Sequence, residues 1–212
     1  FSNLYVQSIE GGGVAERISN SPDMELPTDI TPDGTKVIFH RAPFDIRAMG
    51  IAPPHHVDTL VDSPFEERNG AVSTDGRWLA YEGESATGRG QLDVYVRPFP
   101  RVEARLLQVS SDGGLHPVWA RSGNELFYRA PDGAIMAAPV ESTATNWNIG
   151  AAVKLFRGPY VFRAGDLGRN FDVSLDGRRF LMIKEASRRS ESLPLHIIVV
   201  QRWADELARR LP

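Results

Sequence analysis

The chain contains no cysteine, which excludes a disulfide framework and any cysteine-ligated metal site. Charge of one sign is also missing. Twenty-four basic residues stand against 27 acidic ones, for a net charge of −3. No broad basic field exists, so nucleic acid is not an expected partner. Long apolar runs are absent too. The run Ile197–Val200, just after Leu195 and His196, is only four residues, whereas a membrane-spanning helix needs about 20 apolar residues. No basic-then-apolar leader is visible at the start. The first residue is Phe1 rather than Met, from which a further segment upstream is expected.

What the sequence does contain is a repeat. Four segments align on a turn glycine: ITPDGTKVIFH (30–40), VSTDGRWLAYE (72–82), WARSGNELFYR (119–129) and VSLDGRRFLMI (173–183). The glycines are Gly34, Gly76, Gly123 and Gly177, spaced by 42, 47 and 54 residues. Three positions after the glycine stand Val37, Leu79, Leu126 and Phe180. Five after it stand Phe39, Tyr81, Tyr128 and Met182. An offset of two puts both side chains on one face of a strand. Asp-Gly between two such strands is a hairpin signal, since it tolerates positive φ. In the third copy Ser122 replaces the Asp, which weakens that turn only slightly.

Further short strands precede each hairpin: NLYVQS (3–8) and ERIS, DTLV, LDVYVRP (92–98) and RLLQVS, AIMAAPV (134–140) and VKLF. Residues 45–56, DIRAMGIAPPHH, make the poorest strand because of the two prolines. The wider spacing before the fourth hairpin implies an insertion around 159–168. Each unit is thus a four-stranded antiparallel sheet of roughly 40–50 residues, the size of a β-propeller blade. Such a sheet is apolar on both faces and must be sandwiched by its neighbours. Phe39, Tyr81, Trp119, Tyr128 and Phe180 are accordingly expected to pack between blades. The expected fold is all-β, with about four blades forming one domain over 1–201, as part of a larger ring. LPLHIIVV (193–200) reads as a strand. RWADELARRLP (202–212) reads as a short helix capping the last blade, with Trp203, Leu207 and Leu211 on one face.

Catalytic signatures are few. Neither a Gly-rich loop with its lysine, nor H-R-D, nor D-F-G occurs, and the chain has only three lysines, Lys36, Lys154 and Lys184. GESATG (83–88) lacks the spacing of a nucleophile elbow, so Ser85 is not a nucleophile candidate. Gly11-Gly12-Gly13 is followed by no helix and does not read as a phosphate loop. His55 and His56 are adjacent in a loop and point opposite ways, which makes them poor joint ligands. H-E-x-x-H and alternating-carboxylate calcium loops are missing. No metal and no cofactor is expected.

Two aligned columns are less bland. Seven residues before the glycine stand Pro27, Asn69, His116 and Asn170. Five before it stand Asp29, Ala71, Val118 and Asp172. Arg68 and Arg169 precede two of the first set. The strand entering the hairpin is normally the innermost of a blade. Asp29, Arg68, Asn69, His116, Arg169, Asn170 and Asp172 are therefore expected to line one mouth of the central channel, and the resemblance described next implies that they are the candidate ligand-binding residues. A solvated channel with ordinary polar lining is the alternative.

The repeat resembles the TolB-like, WD-repeat-like β-propellers, whose blades carry Ser-x-Asp-Gly before an apolar strand. VYVRPFP (94–100), SSDGGLHPVWARSGNELFYR (110–129), FDVSLDGRRFLMIKE (171–185) and IIVVQRWADELARRLP (197–212) resemble the propeller at the C-terminus of bacterial serine/threonine kinases of the eukaryotic type. The resemblance implies a non-catalytic sensing or scaffold module outside the cytoplasmic membrane. Its expected partner is a protein or small molecule at the channel, with self-association through the open blade ends. The alternatives are an accessory propeller gating a prolyl-oligopeptidase-like hydrolase and a purely structural assembly domain.

Overall fold

Each repeat folds around its Asp-Gly turn, and the structure shows why the motif has the form it does. The computed structural model describes residues 2–9, 13–85, 90–142, 147–162 and 168–184. In the first two turns the hydroxyl of Thr31 or Ser73 donates to the carboxylate two residues on, Asp33 at 2.6 Å and Asp75 at 2.5 Å. Ser174 does the same to Asp176. The same hydroxyls accept the amides of Lys36, Trp78 and Arg179, each at 3.0 Å. The four glycines sit at φ between 68° and 75°, a left-handed conformation that costs glycine little. At the third turn Ala120 has no hydroxyl to give, and Ser122 Oγ accepts only the Asn124 amide, at 3.4 Å.

These hairpins nucleate a succession of antiparallel sheets. β1 (Tyr5–Val6) pairs with β2 (Glu16–Arg17). β3 (Glu25–Ile30), β4 (Lys36–Arg41), β5 (Asp45–Gly50) and β6 (Val57–Val61) form the first complete blade, in that order. β7 (Glu67–Val72), β8 (Trp78–Glu84), β9 (Leu92–Pro98) and β10 (Leu107–Gln108) form the second. The third contains β11 (Leu115–Trp119), β12 (Glu125–Arg129) and β13 (Ile135–Ser142). Its outer edge is shared by β14 (Trp147–Ile149) and β15 (Val153–Phe156), which pair with opposite ends of β13. β16 (Phe171–Val173) and β17 (Phe180–Met182) form the inner hairpin of a fourth. By position in the repeat, β1 and β2 are the outer pair of a blade ahead of the first.

The segment that looked least like a strand, 45–50, is regular. Its prolines, Pro43, Pro53 and Pro54, flank it instead of interrupting it. The expected strand at 193–200, the helix at 202–212 and the core of the insertion, 163–167, lie outside the described residues.

Period-2 alternation explains the stacking. On β4, Val37 and Phe39 face back onto Leu4 and Ile18, while Ile38 faces forward onto Val72, Leu79 and Tyr81. On β8, Leu79 and Tyr81 face back, and Ala80 faces forward onto Trp119, Leu126 and Tyr128. On β12, Phe127 faces forward onto Phe171, Val173 and Phe180. β4, β8 and β12, the second strands of the first three blades, are therefore buried on both faces, as the sandwich demands. A fully buried side chain such as Phe127 contributes about 1.5–3 kcal/mol. Gly70 belongs to the same packing: a Cβ there would meet Ile38 Cγ2 at 3.0 Å and Ile46 Cγ2 at 3.1 Å. Among the described residues there is no helix.

Candidate functional site

The first strands of successive blades converge. β3 lies against β7, and β7 against β11. Asp29, Ala71, Val118 and Asp172, the column five residues before each turn glycine, line a single cavity of about 330 Å³ on this inner side. Trp119, Arg121 and Arg169 complete its wall. Trp119 is itself fixed by its indole N–H, which donates to the Ala71 carbonyl of the preceding blade at 3.0 Å.

Four charged side chains share this cavity. Both oxygens of Asp29 are engaged: Oδ1 accepts the Ile30 amide at 2.9 Å and Oδ2 the Val72 amide at 2.8 Å, tying two blades together. Burial pushes its carboxyl above the usual range, opposed by the Val72 amide and then by the charge of Arg169. Asp172 Oδ1 accepts the Val173 amide at 2.8 Å. Arg169 donates one N–H to the Thr28 carbonyl at 3.1 Å. Among the described residues, no ion pair joins Arg121 or Arg169 to Asp29 or Asp172. The Arg121 guanidinium and Asp172 Oδ2 thus face the space without a direct partner among the described residues, Arg169 is held by the Thr28 carbonyl, and all three side chains are exposed.

The column seven residues before the glycine goes elsewhere. Asn69 and His116 are 1% and 3% exposed and sit in the seams between blades, not on the channel wall. Both take left-handed backbone conformations, φ 56° and 55°, at breaks in the register of β7 with β8 and of β11 with β12. Asn and His are among the residues that tolerate this conformation best. Glu82 serves both bulges. Its Oε1 accepts the Asn69 side-chain amide at 2.7 Å and the His116 backbone amide at 2.5 Å. Arg68 Nε stands 3.7 Å from Glu82 Oε2, with its guanidinium over the Phe44 ring. Burial pushes the Glu82 carboxyl up, opposed by those hydrogen bonds and by the charges of Arg68 and Arg129. Asn170 is half-buried and donates to the Val161 carbonyl at 3.3 Å. Asn69 Oδ1 in turn accepts the Gly168 amide at 3.0 Å, so the seam holds the residue next to Arg169.

Of the seven expected residues, then, Asp29, Arg169 and Asp172 line the cavity, while Arg68, Asn69, His116 and Asn170 do not. Arg121 and Glu82 escaped the sequence reading. Arg121 was available to it: Pro32, Thr74 and Arg121, two residues before their glycines, all line the cavity. Glu82 carried no such signal, because a carboxylate in a strand reads as solvent-facing.

Three larger hollows are present, of which the smallest, about 540 Å³, lies beside Pro22, Asp23 and Met24. In the largest, of about 650 Å³ between the second and third blades, Asp132 is already paired with Lys154 at 3.4 Å and near Arg157 at 3.8 Å. The third, about 600 Å³ beside β1, is lined mainly by apolar groups such as Leu4, Ile18 and Val37. Among the described residues no group of three or more His, Asp or Glu could hold a metal, and no helix is long and apolar enough to cross a membrane.

The fold is that of the TolB-like β-propellers. It matches TolB from Acinetobacter baumannii with a TM-score of 0.59 at 15% identity, over 88% of this chain and 44% of that one. A putative TolB from Agrobacterium tumefaciens gives 0.56 at 16% identity, over 85% and 64%. A putative 6-phosphogluconolactonase from Bacteroides fragilis gives 0.51 at 15% identity, over 76% and 47%. The chain spans less than two thirds of the length of each. No family model and no curated protein sequence matches it.

Proposed function

We propose that the chain is a non-catalytic binding module whose ligand enters the axial cavity. The observation that carries this reading is the set of charged groups there: Arg121, Arg169 and Asp172 line about 330 Å³ without pairing among themselves. All three are exposed to solvent, so a ligand of complementary charge would displace water here and would not have to break an ion pair among them. The fold matches support a propeller of the binding type. They include a structure named as a putative lactonase, so turnover is part of the test. The receptor-kinase setting, a place outside the cytoplasmic membrane and self-association through the blade ends belong to the same proposal and rest on the sequence resemblance. Kinase motifs and a membrane span in the upstream reading frame support the first two, and a G-x-S-x-G domain downstream would favour the hydrolase alternative.

Trp119 gives a direct probe, since the chain has only four tryptophans and this one lines the cavity. On titration with metabolite and peptide mixtures, its indole N–H resonance should shift before those of the other three. Thr74→Trp, at the exposed turn beside the cavity, should abolish the shift. Ligands that perturb only other sites, or are consumed, contradict the proposal.

A further inference from the structure

The charges in the cavity also specify what fits it. We infer that the axial cavity takes a compact zwitterion of the free α-amino acid class. The inference rests on the channel being the binding site, as proposed above. Two guanidinium groups, Arg121 and Arg169, offer forked donors suited to a carboxylate. Asp29 offers less to a ligand than Asp172, because each of its oxygens already accepts a backbone amide. Asp172 keeps Oδ2 for a cationic or donor group, its Oδ1 being held by the Val173 amide. The formal charges of the wall cancel. An anion alone meets two carboxylates, a cation alone meets two guanidinium groups, and a molecule carrying both charges satisfies each side.

The anionic end has a built support. Asn69 is buried and bridges two groups with opposite needs: its oxygen accepts the Gly168 amide and its NH₂ donates to Glu82. The orientation of the amide is thereby fixed, since a backbone N–H can only donate. Arg169, next in the chain, is held from the other side by Thr28. Asn69 is thus a positioning residue for Arg169, acting from a blade that Arg169 does not belong to.

The experiment is calorimetric titration of the full chain at neutral pH with L-alanine, N-acetyl-L-alanine and L-alaninamide. These probes share a skeleton and differ in which charge remains. L-alanine should bind at least tenfold more tightly than either single-charge analogue. Arg121→Gln, at an exposed residue, should weaken L-alanine tenfold or more without weakening L-alaninamide. Asp172→Asn should weaken L-alanine without weakening N-acetyl-L-alanine. Asn69→Ala should weaken L-alanine and speed hydrogen exchange at the Gly168 amide. Equal affinity for the three probes, or no L-alanine binding at all, overturns the inference. If a single-charge analogue binds best while shifting Trp119, the zwitterion class falls and the channel reading stands. If no ligand in the broader mixtures shifts Trp119, both fall.

Discussion

His40 and Glu82 occupy the same place in successive repeats, six residues past the turn glycine, and both are buried. Their consequences for pH have opposite sign. Neither ring nitrogen of His40 has a hydrogen-bond partner among the described residues. Burial, with the charge of Arg68 added, lowers its pKa from 6.5 to about 4. The folded state therefore resists protonating His40 where the unfolded chain accepts the proton. Stability falls as pH drops from about 6.5 towards 4, by up to about 3 kcal/mol from this residue. Glu82, pushed up by burial, is harder to ionise when folded and opposes stability as pH rises. His40→Leu should remove the first effect and leave the second. Chemical denaturation at pH 7 and pH 4 should show a smaller acid loss in the variant. An identical loss in both proteins contradicts this account of His40.

At the scale of the element, the turn motif is a small machine of hydrogen bonds, and its copies differ in strength. Asp75 accepts from the Ser73 hydroxyl, the Arg77 amide at 3.1 Å and Arg77 Nε at 2.8 Å. Ser122 accepts one long bond. Asp75→Ala should cost about 1–2 kcal/mol, and Ser122→Ala less than about 0.5 kcal/mol, read from urea midpoints. Equal losses would show that the hydroxyl–carboxylate pair is not what holds the turn. These hairpins and the faces of β4, β8 and β12 were legible in the sequence, because Asp-Gly and period-2 alternation are local signals. The strand at 45–50 was obscured by flanking prolines. The polarity of Asn69 and His116 was visible, but its cause was not. A left-handed bulge capped by a carboxylate of a neighbouring strand is a tertiary feature with no local pattern. Polar residues near the start of an inner strand looked like channel lining, and the seam was the physical reason for them.

For the whole molecule, the ordered packing of each sheet between its neighbours brings the inner strands to one axis. It also leaves apolar side chains uncovered at the two ends of the described arc, with Tyr5 at 59% and Leu181 at 74% exposure. The account depends on the axis: Asp29 and Asp172, 143 positions apart in the numbering, must face one cavity. The absence of cysteine makes this directly measurable. In an Asp29→Cys, Asp172→Cys double variant, a short bismaleimide should form an intramolecular cross-link, read by mass spectrometry of the digested protein. Asp29→Cys paired with Lys154→Cys, on the outer edge of the third blade, should not. Failure of the first pair to link, or equal linking of the second, contradicts the shared axial cavity.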